Sequence, residues 1–314
     1  MRVLVTGGAG FIGSHVADAF LAAGHEVAVL DNLSTGFRHN VPSAATFFEV
    51  DIRDASAVDK VISAFRPDII DHHAAQMDVR KSLLDPVFDA ESNIIGSINL
   101  IASAQKHDVN KFIYISTGGA VYGEPNNLPV TEQHPIRPEC AYGISKHTVE
   151  HYLELYRILY GFRYTVLRYP NVFGPRQNPH GEAGVIAIFA GLLLDGKTPT
   201  IYGDGEQLRD YVYVSDCARA NVLALESGDG EILNIGSGVG TSVNTLFKEL
   251  ASLAEFKYEA IYAPPRTGEI RAVYLDATRA TNILKWQIEV SLSDGMRKTW
   301  DWCRAEREKS LTTA

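Results

Sequence analysis

The first 120 residues alternate short, almost wholly apolar runs with longer stretches whose apolar positions recur every three or four residues. The runs Val3–Thr6, Val27–Leu30, Thr46–Val50, Ile69–His72 and Phe112–Ser116 read as strands, and residues 12–23, 55–65 and 88–107 as helices. Apolar strands separated by helices predict a parallel, doubly wound α/β sheet with both faces covered. A longer helix over 142–160 leads into a further strand, Tyr164–Arg168.

The texture changes after Pro170. Residues 171–184 are rich in Gly, Pro and polar side chains, as in a loop bordering a site. Shorter elements follow: helices near 185–195, 215–226 and 243–255, and strands near 199–202, 211–213 and 231–235. An amphipathic helix over 291–307 carries Trp300 and Trp302, which with Trp286 read as core aromatics. No repeat or linker separates the two parts, which predicts a shared cleft.

Charge narrows the function classes. The chain of 314 residues has a formal net charge of −9, which argues against a nucleic-acid or membrane footprint. No apolar run reaches the length of a membrane span, and the N-terminus does not read as a signal peptide. Cys140, Cys217 and Cys303 are odd in number and far apart, fitting neither a disulfide framework nor a zinc site; a reducing cytosol is expected. His72 and His73 have no third residue spaced to make them metal ligands, so no metal is expected.

The first strand runs into Val5-Thr6-Gly7-Gly8-Ala9-Gly10-Phe11-Ile12-Gly13-Ser14-His15. Glycines at 7, 10 and 13 allow a sharp strand-to-helix turn and a close backbone approach to a pyrophosphate, which the helix N-terminus then faces. Asp31 ends the second strand, at the place of an acid that binds the adenosine ribose and repels a 2′-phosphate; NAD is expected over NADP. Asp51 and Ile52, after the third strand, stand where an adenine would border the sheet. This is the pattern of a Rossmann-type dinucleotide domain, followed by a smaller α/β substrate-binding part.

Tyr142 and Lys146 are four residues apart, on one face of the predicted helix. A free tyrosine has a pKa of about 10, too high for a base near neutrality. A neighbouring ammonium and a positive nicotinamide ring favour the phenolate, so the pair is expected to act as base and electrostatic partner.

These motifs resemble the extended short-chain dehydrogenase/reductase superfamily from end to end, and within it the UDP-glucose 4-epimerase group. The similarity is carried by Thr6–His15, Asp31–Gly36, His72–Gln76, Tyr142–Lys146, Asn171–Pro175, Gly203–Tyr213 and Arg266–Glu269. It implies that Phe11 and Ile12 contact the NAD pyrophosphate, and that Asp31, Asn32, Ser34, Thr35 and Gly36 surround the adenosine ribose. Ala74, Ala75 and Gln76 would run along the cofactor, with Asn93 on the cofactor side and Pro170 following the residue beside the nicotinamide. Asn171, Arg209 and Arg266 match positions that hold a UDP group, guanidinium forks suiting a diphosphate. Gly184 and Val185 begin the uracil-contacting loop, and Tyr202 and Glu269 complete the implied substrate set.

The resemblance implies a UDP-hexose 4-epimerase working through a 4-keto intermediate. It also implies residues 1–169 as the NAD-binding domain, with segments near 211–240 returning to it, and 170–314 as mainly the nucleotide-sugar part. A homodimer through the helices near 90–106 and 142–160 is expected on the same ground. One departure stands out: where the family carries a Ser or Thr, this chain has Gly118, and Thr117 is the expected substitute. Val273 matches the residue beside the sugar's C2 substituent, and a small side chain there implies room for an N-acetyl group; the alternatives are that Val273 is only a core-facing strand residue, or that a one-residue slip puts Tyr274 at the position. UDP-glucuronate epimerases and decarboxylases share the Tyr/Lys pair and stay open as alternatives. The 4,6-dehydratases carry an Asp-Glu pair where Gly119-Ala120 stands. A non-catalytic dinucleotide sensor fits the intact Tyr/Lys pair least.

Overall fold

The computed structural model describes residues 1–179, 184–266 and 270–313. Its frame is a seven-stranded sheet whose first six strands are β1 (Arg2–Thr6), β2 (Glu26–Asp31), β3 (Thr46–Glu49), β4 (Ile69–His72), β5 (Lys111–Thr117) and β6 (Tyr164–Tyr169). Glu231–Asn234 is the seventh, and the spatial order is β3-β2-β1-β4-β5-β6 followed by that edge strand. Every pairing is parallel, with Val5 opposite Val29, Ile70 opposite Phe112 and Leu233 opposite Leu167. Strand order reverses between β1 and β4, which opens a crevice at their carboxyl ends.

Both faces are buried, as near-continuous apolar strands require. Val16 and Phe20 of the helix Phe11–Ala22 cover one face with Cys217 and Ala220 of the helix Val214–Ala224. Ile62 of the helix Ala55–Phe65, Leu100 of Gly96–Lys106 and Leu153 of Ala141–Tyr160 cover the other.

The expected helix over 88–107 is interrupted. It begins at Pro86, passes through a π-turn at Glu91–Ile95 and resumes as Gly96–Lys106. A Cβ on Gly96 would lie 2.6 Å from Ile52 Cδ1, so any larger residue would have to push the Ile52 side chain aside. A short helix, Val79–Leu84, precedes it, capped by the Asp78 side chain. It is too short to show a period in sequence, as are Thr241–Ser242, Ile261–Ala263 and Thr278–Leu284.

The second part is built from short pairings. Asn171–Phe173 runs beside Tyr211–Tyr213, and Leu208–Arg209 lies between Thr241–Ser242 and Ala272–Val273. Thr200–Tyr202 pairs with Ile261–Ala263. Trp286 is buried, with its indole N–H on the Asp216 carbonyl at 2.8 Å, and Trp300 is buried on the C-terminal helix Leu292–Thr313. Trp302 is only partly covered. The edge strand also fastens a distant loop: Asn234 Nδ2 donates to Val130 O at 2.9 Å, and its Oδ1 accepts from Tyr122 Oη at 2.8 Å. Among the described residues, no helix is long and apolar enough to cross a membrane.

Candidate active site

The glycine turn is shaped by close approach. Gly7 has φ +69°, and a Cβ on it would fall 2.6 Å from Ala74 N; one on Gly13 would fall 2.4 Å from Gly7 O. Gly10 caps the helix Phe11–Ala22 without any side-chain bond to its first turn. Phe11, Ile12 and Gly13 thus open a helix whose N–H groups suit a phosphate. This cradle fits a dinucleotide.

Asp31 sits beside it at the end of β2. Its carboxylate accepts from Ala9 N at 2.9 Å and Leu33 N at 2.8 Å, while burial pushes its pKa above the ordinary value. Asp31 thus braces the glycine turn. Gly36 packs on Ala9 with no room for a Cβ, and Ser34 and Thr35 lie exposed between them. Asn32 Nδ2 donates to Asp51 at 2.9 Å. The Arg53 guanidinium grips the same carboxylate and holds it well below the usual range. Ile52 is buried under Gly96.

The segment 74–76 lies against β1: Ala74 N donates to Thr6 Oγ1 at 3.3 Å, while Ala75 is partly covered. Asn93, at the centre of the π-turn, accepts from Gln76 N at 2.8 Å and returns its amide to Gln76 O at 2.9 Å. It also reaches Ser145 Oγ at 3.2 Å, on the helix that carries Tyr142. Asn93 therefore clamps the segment 74–76 to the helix that carries Tyr142 and Lys146. His72 is enclosed between Thr6 Oγ1 at 2.7 Å and Ser97 Oγ at 2.9 Å, and burial drives its pKa well down. His73 turns the other way, to Asp71 at 3.0 Å. Among the described residues no three metal-binding side chains gather.

Tyr142 and Lys146 share one face of the helix Ala141–Tyr160. A Cβ on Gly143 would lie 2.6 Å from Ala120 O, so glycine draws the start of this helix onto the loop after β5. Tyr142 is partly exposed at the crevice, and the packing about its phenol, with Cys140 and Asp89, raises its pKa above the ordinary value. Burial thus outweighs the expected pull of Lys146 in the protein alone. Lys146 is buried with its Nζ 4.4 Å from the centre of the Tyr114 ring, and burial lowers it to about 7. Thr117 ends β5, half-buried. Gly118 N donates to Tyr169 O at 2.8 Å, which ties the end of β5 to the approach to Pro170.

A network not legible in the sequence lies behind these residues. Glu150 and Arg168 form a buried ion pair that also holds Ser116 and the Tyr122 hydroxyl. A second unforeseen tie joins the two parts of the chain: His15 Nε2 meets Pro175 O at 2.9 Å, and Arg176 pairs with Asp18 at 2.7 Å.

In the second part of the chain, Asn171 is exposed, its N–H on Asp210 O at 3.1 Å. Arg209 is half-buried opposite Val273 and Thr241. The Arg266 guanidinium stacks 4.2 Å above the Tyr202 ring. Arg266 and Tyr202 border an open pocket of about 430 Å³ with Asp204, Gln207 and Arg271; Asn171 and Arg209 do not line it. Gly184 caps the helix Val185–Leu194, again with no side-chain bond. Glu269 lies outside the described residues. A larger cleft of about 700 Å³ lies along the helix Ala141–Tyr160 and the edge strand. Its charged lining is paired off as Arg157 with Glu154, Arg163 with Asp229 and Arg279 with Glu231.

The profile of the NAD dependent epimerase/dehydratase family matches residues 3–236. The UDP-glucose 4-epimerase of Mycolicibacterium smegmatis is 43% identical over 310 residues, covering 97% of this chain and 99% of that one. The crystal structure of the Thermotoga maritima UDP-glucose 4-epimerase with UDP-glucose superposes with a TM-score of 0.96 at 48% identity, over 98% of this chain and 100% of that one. The Thermus thermophilus UDP-glucose 4-epimerase, in complex with NAD, gives a TM-score of 0.92 at 45% identity, over 97% and 99%.

Proposed function

The chain belongs to the NAD dependent epimerase/dehydratase family, and from that premise we propose that it inverts C4 of a UDP-hexose, interconverting UDP-glucose and UDP-galactose. The observation that carries this reading is Tyr142 and Lys146, one helical turn apart at the sheet's carboxyl edge, in a chain 48% identical to the Thermotoga maritima UDP-glucose 4-epimerase over nearly its whole length.

When bound, NAD supplies the acceptor and then the donor of the C4 hydride. Gly7, Gly10 and Gly13 admit its pyrophosphate to the helix N-terminus; Asp31, Asn32, Ser34, Thr35 and Gly36 hold its ribose, and Asp51 and Ile52 border the adenine. Ala74 to Gln76, Asn93 and Pro170 line the rest of its path. Tyr142 takes the proton from the 4-hydroxyl, Thr117 shares it, and Lys146 stabilises the phenolate by its charge. Asn171, Gly184, Val185, Tyr202, Arg209, Arg266 and Glu269 grip the nucleotide, so that the hexose can turn over as a 4-keto sugar while its diphosphate stays anchored.

On this reading residues 1–169, joined by about 211–240, form the dinucleotide half, and 170–314 mainly the sugar-nucleotide half. Widely spaced free cysteines support a reducing cytosol. Exposed Leu83, Leu84, Val87 and Ile95, with Ile144, Leu155 and Ile158 on the catalytic helix, support a homodimer through these helices. Leu84→Glu should then yield a monomer by sedimentation.

The direct test is conversion of UDP-galactose to UDP-glucose by the holoenzyme, with Tyr142→Phe as control. We expect turnover in the wild type and near-complete loss in the variant with NAD still bound. A wild type that converts only UDP-glucuronate would move the assignment to the glucuronate enzymes.

A further inference from the structure

Tyr142, Lys146 and Glu150 stand four residues apart on the helix Ala141–Tyr160, a spacing that stacks all three side chains on one face. The mechanism above uses the first two. Glu150 is only 3% exposed, a costly place for a carboxylate unless donors and charges surround it. They do. Its Oε1 accepts from Ser116 Oγ at 2.7 Å and Arg168 Nε at 2.9 Å. Its Oε2 meets Arg168 Nη2 and, at 2.8 Å, His147 Nδ1.

These partners sit at the edges of the reacting centre. Ser116 precedes Thr117 on β5. Arg168 is two residues before Pro170, and its Nη1 donates to Tyr122 Oη at 2.8 Å, in the loop after Thr117. One carboxylate therefore links the catalytic helix to both strands that end at the site.

We propose that Glu150 serves the epimerase reaction as a positioning residue, balancing the Lys146 ammonium and locking the catalytic helix against the strand that carries Thr117. This deepens the functional reading above and rests on it.

Stability alone is a poor reason for the pair. A buried ion pair is often no better than apolar residues packed in its place, because desolvation offsets the attraction. Its position next to a buried lysine supplies another reason. Lys146 faces the Tyr114 ring and, through the core, the neutral His72; the acids that support its charge are Glu150 first and Asp89 second. Burial draws Lys146 down to about 7, so the neighbouring anion helps decide whether it carries its proton near neutrality. Glu150 in turn faces Ser116 and Tyr114 from β5, Arg168 and Tyr164 from β6, and His147 and Lys146 on its own helix. Against the burial that would raise it, His147, Arg168 and Ser116 bring it down to about 2 and keep it ionised.

The test follows the Lys146 signal in holoenzyme carrying ε-¹³C-lysine, identified by its loss in Lys146→Arg. The two test proteins are Glu150→Asp, which shortens the carboxylate's reach, and Glu150→Gln/Arg168→Gln, which removes both charges of the ion pair so that no buried guanidinium is left without its partner. We expect the Lys146 midpoint to fall by about one pH unit or more in the double variant, and by less in Glu150→Asp. The alkaline limb of UDP-galactose turnover should move the same way. If the double variant does not fold, Glu150→Asp decides alone. A Lys146 midpoint unmoved in every folded variant overturns the role of Glu150, whatever the turnover. A wild type that does not interconvert the sugars overturns the reaction assignment, and the role with it, even where the midpoint moves.

Discussion

Leu275 occupies the space a side chain at Gly118 would need: a Cβ built there falls 2.3 Å from Leu275 Cδ1. The family's hydroxyl cannot be restored at that position without displacing a fully buried leucine. Thr117, one residue earlier and half-buried at the strand end, is where this chain can carry it.

Thr117→Val should therefore lower turnover by roughly 10²–10⁴-fold, the scale of assistance to proton transfer, with NAD binding intact. Gly118→Ser should not rescue it, and should lower the melting temperature by crowding Leu275. Steady-state kinetics on the two variants and their combination decides this. A loss below about threefold in Thr117→Val would pass the role to Ser116 or a water.

Asp31 braces the glycine turn, and on the proposed reading it also selects the cofactor, so its replacement should show both effects. Asp31→Asn keeps a group able to accept from one of Ala9 N and Leu33 N, but removes the charge that repels a 2′-phosphate. Calorimetry on the cofactor-free protein should show NAD binding weakened and the preference over NADP reduced. Equal affinity of the unaltered protein for the two cofactors would contradict the assignment.

Val273 is buried among Val121, Tyr122, Val130 and Leu275, while Tyr274 lies on the other side, against Gly240. The alternation places the small residue toward the loop that follows Thr117. We expect activity on N-acetylated UDP-hexoses beside the plain ones, and its loss in Val273→Tyr. Parallel assays of both substrate pairs check this, and a tyrosine variant that handles both equally would remove Val273 as the gate.

Acid should act through Glu150. Its carboxyl is held at about 2 in the folded protein against an ordinary 4.5. Its contribution to stability is whole above that ordinary value and is lost as pH falls toward about 2. The melting temperature should drop over that window, and less steeply in Glu150→Gln/Arg168→Gln. Equal slopes in the two proteins would show that other carboxylates govern acid unfolding.

What could be read in the sequence was what depends on neighbours in the chain. The glycines at 7, 10 and 13 answer a local steric demand, and the strand-end Asp31 follows from strand length. The Tyr142/Lys146 pair follows from helical pitch. The Glu150 network escaped because Ser116, Tyr122, Glu150, Arg168 and Asn234 come from five separate segments, and no spacing connects them. Asn93 is legible by its position, but its clamp on Gln76 depends on a π-turn that has no signature in the apolar pattern. The lowering of Lys146 also follows from how much protein surrounds it, which composition does not reveal.

Asn234 sets an order of events. The loop that follows Thr117 is fastened through Tyr122 and Val130 to a residue more than a hundred positions downstream. A chain emerging from the ribosome can complete β1 to β6, and with them the glycine turn, well before Asn234 exists. Contacts of such long sequence separation form late, after the loop between them has closed. The cofactor cradle can thus mature during synthesis, while the reacting centre waits for the last strand of the sheet. A chain ending at residue 230 should keep the cradle and lack a set catalytic loop.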